Sequence, residues 1–478
     1  MTVPVPHTHH PLVGDLSQRI IQANDRPVLA EGDYILVVLQ RALRGADNPV
    51  LEAAIAHAYS LGLGILVYSE LEEANPHASD RLFYFALGAL RSLAVDLARA
   101  GVPCVQAIRP GEGAAPLAGL ITAAAAIYTN EDPTHWDRAK LQRVLDAAAQ
   151  AVFFVDASRL VPVRQLPEGL KTTPEFRKVH GRLRERCAAL RKKTSEEIAE
   201  LTPQVAQTKV PVEGPLENFA NCADEALITL IAQCKVDHSI PISKDHPPTQ
   251  AAIASRLATL KAEILARYKW IRNNPALEYS TSQLSPYLHF GMLSPGELYA
   301  EIASADVPKS YTWKFRDEFL TWREWSHYRA FHVPNLHEFE SLTQYAQQTL
   351  RDHADDPRPE RVPLEDILQG NTADPTWNAA QREWLHTGWL HNNLRMYWAK
   401  QLLRFTETPE AAWKTACYLN DHLSLDGRDP ATYASMQWAF GDAKRGYSNR
   451  PIYGWVAPKS DRAILKRKGM AEWIEARL

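Results

Sequence analysis

Between residues 34 and 157, short β-branched and apolar runs alternate with longer alanine- and leucine-rich stretches. YILVVL (34–39), GILVYSE (64–70), VPCVQAI (102–108), AAIYT (125–129) and AVFFVDA (151–157) read as buried strands. The segments between them, NPVLEAAIAHAYSLG, DRLFYFALGALRSLAVDLARAG and 137–149, carry apolar residues at helical spacing. Strands separated by helices pair in parallel through crossovers, so a doubly wound α/β domain is expected over 31–165, preceded by a tail at 1–30. Strand signals then nearly vanish. KTTPEFRKVHGRLRERCAALRKKT (171–194) is basic and helix-compatible, and 203–248 is rich in proline and polar residues, so 166–248 reads as a linker with an exposed basic helix. From 249 to 478 the pattern is helical, with breaks at Pro286, Pro295, Pro334 and Pro375, and a second, all-α domain is expected there.

A length of 478 residues suits two or three domains. The longest apolar runs fall far short of the roughly twenty residues a bilayer span needs, so no membrane partner is expected. The first residues, MTVPVPHTHHPLVGDL, have neither the basic nor the apolar region of a signal peptide, and a cytoplasmic monomer is the expectation. Five scattered cysteines lack metal-ligand spacing, and His7, His9 and His10 read as part of the tail, so no metal is expected. A net charge of −3 argues against nucleic-acid binding through whole-molecule charge and leaves a local basic face open. No glycine-rich phosphate loop follows the first strand, which runs instead into QRALRGADNPVL, so chemistry is sought in the helical half. Of the 13 tryptophans, all but Trp136 lie beyond residue 269.

Four segments of that half carry candidate chemistry. EYSTSQLSPYLHFGMLSP (278–295) sets Ser280, Thr281, Ser282 and Ser285 before an apolar stretch, suited to capping a helix or cradling a phosphate. In KFRDEFLTWREWSHYRAFH (314–332), Glu318 and Trp322 are spaced i, i+4, so a helix sets a carboxylate and an indole on one face. That pair suits a base edge stacked on a ring, and it equally suits a core helix in which Glu318 pairs with Lys314 or another cation. TWNAAQREWLHTGWLHNNLRMYWAKQLLRF (376–405) holds Trp377, Trp384, Trp389 and Trp398, with Asn392, Arg395 and Trp398 at i, i+3, i+6. Indoles this dense either fill a core or pass an electron stepwise. ACYLNDHLSLDGRDPATYASMQWAFG (416–441) groups Asn420, Asp421, Asp426, Arg428 and Asp429 ahead of Trp438; it reads as a turn or as a polar ligand site, without the downstream glutamate of a calcium loop.

Together, TSQLSPYLHFG, TGWLHNNLRMYWAKQLL and YLNDHLSLDGRDP resemble the cryptochrome/photolyase family in order and spacing, most closely its class II cyclobutane pyrimidine dimer photolyases. The resemblance covers about 30–460 and implies an N-terminal antenna domain and a C-terminal FAD domain. It implies FAD active in its reduced anionic form, held by Thr281, Ser282, Leu284 and Ser285 at the pyrophosphate and ribityl region, with Asn392 also in contact. Arg395 and Asp426 would pair beside the isoalloxazine and Asn420 would face its N5. Glu318 would bond the dimer's base edge between Trp322 and Trp438, with Met396 near the dimer, while Arg428, Lys444, Arg445 and Arg450 would grip phosphates of UV-damaged DNA. Trp398 would be flavin-proximal and Trp377 the next relay in photoreduction.

The implied activity is light-driven dimer repair by electron transfer to a flipped-out lesion; the alternative is a cryptochrome-like photoreceptor without repair. A deazaflavin is the antenna chromophore expected by analogy. The chain departs from class II at two positions: Phe405 stands where a third relay tryptophan is usual, and Asn392 where glycine is common. Only Cys417 lies in the C-terminal half, against a four-cysteine cluster. An altered relay predicts photoreduction that is slower or rerouted.

Overall fold

The computed structural model describes residues 14–109, 116–212, 215–333, 335–442 and 447–478, which leaves the three N-terminal histidines outside. Two compact units result: Met1–His238 with Pro247–Ala254 and Ser285–Ser304, and Ser239–His246 with Ser255–Leu284 and Ala305–Leu478.

The first unit is built on six strands: β1 (Ile20–Gln22), β2 (Tyr34–Val38), β3 (Gly64–Glu72), β4 (Cys104–Arg109), β5 (Ala124–Asn130) and β6 (Val152–Val155), in the order β1-β6-β5-β2-β3-β4. β2 to β6 pair in parallel, with Ile35 opposite both Ile65 and Ala126. From β2 the chain steps outward to β3 and β4, then returns to β5 and β6 on the other side, which is the doubly wound topology expected from the pattern. Every residue of β2 is buried, so the unbroken apolar run reflects covering on both faces. β1 lies within the segment read as a tail. Three residues are too few to show a period, and β1 is fixed by antiparallel pairing of Ile20 with Val155.

The basic helix, Thr173–Ala199, starts with a capping box formed by Thr172 and Glu175. Its charges hide an inward face of Phe176, His180, Cys187, Arg191, Thr194 and Ile198, and it packs on the helix Pro49–Leu61. Arg191, 4% exposed, meets Asp15 at 2.8 Å, Asp47 at 3.0 Å and Glu52. Asp15 also pairs with Arg19 at 2.6 Å. Such a knot is stable only while every charge in it is matched.

The second unit is helical, with an apolar core that includes Trp377, Trp384, Trp398, Trp413 and Phe440. The breaks expected at Pro295 and Pro375 fall there because each proline is the first residue of the next helix, as are Pro409 and Pro430; Pro334 lies outside the described residues. The first helical position needs no amide hydrogen, so proline fits there, and side-chain caps from Asp374, Thr408 and Asp429 satisfy neighbouring amides.

Replacing Arg191 by alanine takes the shared cation from Asp47 and Glu52 and leaves Asp15 with Arg19 alone. Urea unfolding followed by far-UV circular dichroism should record a loss of about 3–5 kcal/mol for Arg191→Ala. A change under about 1 kcal/mol would mean the knot contributes no more than a surface pair.

Candidate functional site

The helix Asn392–Phe405 begins when the His391 ring accepts from the Asn393 amide at 3.1 Å. One turn later Arg395 enters the core, 7% exposed. Its Nη2 donates to Asp426 Oδ1 at 2.9 Å and to Ser424 Oγ at 3.3 Å, and Ser424 Oγ donates to the same carboxylate oxygen at 2.6 Å. The D-G-R-D-P stretch is therefore a built loop. Gly427 is required by close approach, since a Cβ there would sit 2.2 Å from the Asn420 carbonyl. Arg428 adopts φ +60°, and its amide donates to Asp421 Oδ1 at 2.9 Å.

Asn420 is fully buried on the helix Pro409–Leu423. Its Nδ2 donates to the Ala416 carbonyl at 2.8 Å, while its Oδ1 has no hydrogen-bond partner among the described residues, nor does Arg395 Nε. A buried acceptor left alone costs about 1–3 kcal/mol. One acceptor and one donor held this way in the same region fit a flat heterocycle carrying both kinds of group.

The indoles form a connected set. Trp377 stacks on Trp398 at 5.7 Å and 12°, Trp384 meets Trp398 edge-on at 5.1 Å, and Phe405 meets Trp377 edge-on at 5.4 Å. Trp398 Nε1 donates to Gln381 Oε1 at 2.9 Å, and Trp377 Nε1 donates to the Trp398 carbonyl at 3.1 Å. Sequence reasoning missed Gln381; its spacing of i+4 from Trp377 was the available signal. The Arg395 guanidinium lies 5.3 Å from the Trp384 ring centre.

Glu318 and Trp322 lie within a π-helical segment, Asp317–Trp322, and Trp438 begins another, Trp438–Asp442. The α-helical spacing expected for the first pair is thus a wider turn, a form common at functional sites. Glu318 is part-exposed between Arg272 Nη1 at 2.9 Å and Lys314 Nζ at 2.7 Å, so the cation pairing allowed by the sequence is present. Trp322 is half-buried and Trp438 is 44% exposed. The helices that adjoin them, Arg323–His332 and Pro430–Gln437, pack together. Met396 is buried beside Arg395 in sequence, and Arg450 is exposed. Lys444 and Arg445 lie outside the described residues.

Thr281 and Ser282 are half-buried in an extended loop, and Leu284 is buried. Gln283 between them has φ +51° and its Oε1 accepts from Arg256 Nη1 at 3.1 Å. Ser285 opens the short helix Ser285–Phe290, which belongs to the first unit. Asn392 is exposed at its helix start, in contrast to Arg395.

Comparison with known proteins adds the following. The DNA photolyase family model matches residues 35–205. A deoxyribodipyrimidine photo-lyase from Oryza sativa subsp. japonica is 30% identical over 439 residues, 89% of this chain and 83% of the relative. A deoxyribodipyrimidine photo-lyase from Methanothermobacter thermautotrophicus is 29% identical over 462 residues, 96% of this chain and 98% of the relative. In fold the chain is similar to a class III photolyase from Agrobacterium tumefaciens, with a TM-score of 0.65 and 21% identity over 93% of this chain and 86% of the other. It is also similar to an archaeal photolyase from Sulfolobus tokodaii, with a TM-score of 0.62 and 18% identity over 93% and 90%.

Two histidines give this unit a pH dependence. Burial, then the charge of Lys459, pushes His391 down to about 3; burial, then Arg256, does the same to His246. The unfolded chain takes up these protons first, near 6.5, so the stabilisation is complete above that pH and is lost as pH falls towards about 3. Thermal melts should show Tm falling over that range. His391→Asn keeps a capping acceptor and should flatten the fall; an unaltered acid slope would remove His391 from the account.

Proposed function

Because the chain belongs to the DNA photolyase family, we propose that it repairs cyclobutane pyrimidine dimers in DNA by light-driven electron transfer, with FAD as cofactor. The observation that carries this reading is the buried Arg395–Asp426 pair together with a buried Asn420 side chain whose Oδ1 has no hydrogen-bond partner among the described residues. Bound FAD in its reduced anionic form would supply the excited electron that splits the dimer and would take it back afterwards.

The residues of the chain have separable tasks in this reading. Arg395 and Asn420 orient the heterocycle, the first through positive charge that favours an anion, the second by accepting a hydrogen bond at Oδ1. Thr281, Ser282 and Leu284 face the pyrophosphate and ribityl region, with Asn392 at the start of the Arg395 helix. Trp322 and Trp438 stack the flipped lesion, Met396 adds apolar contact, and Glu318 accepts a hydrogen bond from the base edge. Arg428 and Arg450 bind phosphates, so affinity falls as salt rises. Electrons that reduce the cofactor pass through Trp377 and Trp398. Trp398 has two indole neighbours, and the Arg395 cation beside Trp384 makes that ring harder to oxidise, which favours Trp377. A deazaflavin antenna in the first unit is the companion proposal, tested by the absorption spectrum of the purified protein.

Chemically reduced protein, mixed with dimer-containing oligonucleotide and illuminated, should restore absorbance in the thymine band. Glu318→Ala should weaken dimer binding about tenfold or more, the loss of one charge-assisted hydrogen bond. Trp377→Phe should block light-driven reduction of oxidised FAD while chemically reduced protein still repairs. No repair by reduced protein, together with a light-dependent change in association, would move the reading to a photoreceptor.

A further inference from the structure

Phe405 sets the problem, because a phenyl ring is far harder to oxidise than an indole. A hole that reaches Trp377 cannot pass to it, although the rings touch at 5.4 Å. Trp377 is also fully buried, and its indole N–H faces a main-chain carbonyl, which cannot take a proton. A charge stranded there returns the way it came. To be retained it has to reach a donor whose oxidation is locked by proton loss.

The capping residue of the Trp377 helix provides that combination. Asp374 Oδ1 accepts from the Trp377 amide at 3.0 Å, and Asp374 Oδ2 accepts from the phenol of Tyr397. One carboxylate therefore touches the relay residue and a phenol that is 2% exposed and immediately precedes Trp398 in the chain. Asp374 itself is half-buried, so a proton it receives can leave to solvent. Arg404 and Asp461 are the other charged groups that act on the phenol. Burial, then the bond to Asp374, pushes Tyr397 well above the ordinary phenol range, so it holds its proton until it is oxidised. Tyr453, in the same core, lacks this arrangement: its hydroxyl donates to the Lys400 carbonyl at 3.3 Å.

We propose that Tyr397 is the terminal electron donor of the relay and that Asp374 is the base that takes its proton. One electron passes from Tyr397 to the Trp377 radical cation and restores the neutral indole. The phenol O–H breaks, its proton moves to Asp374 Oδ2, and a neutral tyrosyl radical remains beside a carboxylic acid. The electron lost by Trp377 has gone through Trp398 to light-excited oxidised FAD, so the inference rests on the function proposed above. An added thiol returns one electron and one proton to the tyrosyl radical.

The test is electron paramagnetic resonance on the full chain loaded with oxidised FAD and frozen under blue light. A neutral tyrosyl signal is expected, narrowed by ring-deuterated tyrosine, lost in Tyr397→Phe and retained in Tyr453→Phe. Asp374→Asn keeps an N-cap and the phenol but removes the base, so a tryptophanyl signal should replace the tyrosyl one. Formation of the tyrosyl radical should slow in D2O. A tyrosyl signal that survives Tyr397→Phe, or only a tryptophanyl signal in the unmodified protein, overturns the assignment and leaves the relay intact. No protein radical of either kind, with FAD bound, overturns the relay itself and the photoreduction on which it rests.

Discussion

A guanidinium buried in a helical core keeps its charge and has to be matched there. Arg395 is matched by Asp426 and Ser424, and much of the second unit follows from that match. The loop after Leu423 has to bring two acceptors inward, which forces Gly427 onto the Asn420 carbonyl and Arg428 into left-handed backbone. Left-handed backbone at a non-glycine residue costs about 1–3 kcal/mol, offset here by Asp421 and by Thr432, which donates to the Asp426 carbonyl at 2.9 Å. The same guanidinium borders Trp384. One ion pair thus shapes the loop after Leu423 and sets a cation beside a buried indole.

The strands of the first unit were legible because both faces of the sheet are covered, so apolar runs needed no phase to be recognised. β1 was not legible, since its three residues are set by pairing with β6 and not by any local pattern. The basic helix was read as exposed because nine lysine and arginine side chains between 171 and 194 overwhelm the few inward residues in any average, although those few keep helical spacing. The prolines marked the breaks between helices, and the pattern left open which side of each break they occupy. Their cost falls inside a helix, whereas the first residue of a helix accepts them without loss.

In the candidate site, residue types were legible and partnerships were not. Arg395 and Asp426 could be named together only through motif resemblance, because 31 residues separate them. Gln381 was invisible for a plainer reason: a glutamine on a helix is ordinary until the structure turns it towards an indole N–H. Asp374 and Tyr397 are 23 residues apart, and a capping aspartate normally has its function exhausted by the cap. The second oxygen of a carboxylate is what sequence patterns do not display.

The π-helical turn at Asp317–Trp322 carries a consequence for chain length. A π turn accommodates about one residue more than an α turn, and each residue of an α-helix adds about 100° of rotation. The helix Arg323–His332 is therefore rotated about its own axis by that amount relative to an uninterrupted helix from Lys309 onward. That helix carries Arg329, which meets Asp442 at 3.2 Å. Relatives that differ by one residue here would differ in the orientation of a whole helix face while keeping nearly the same local sequence. Alignments scored on identity alone would pass over such a change.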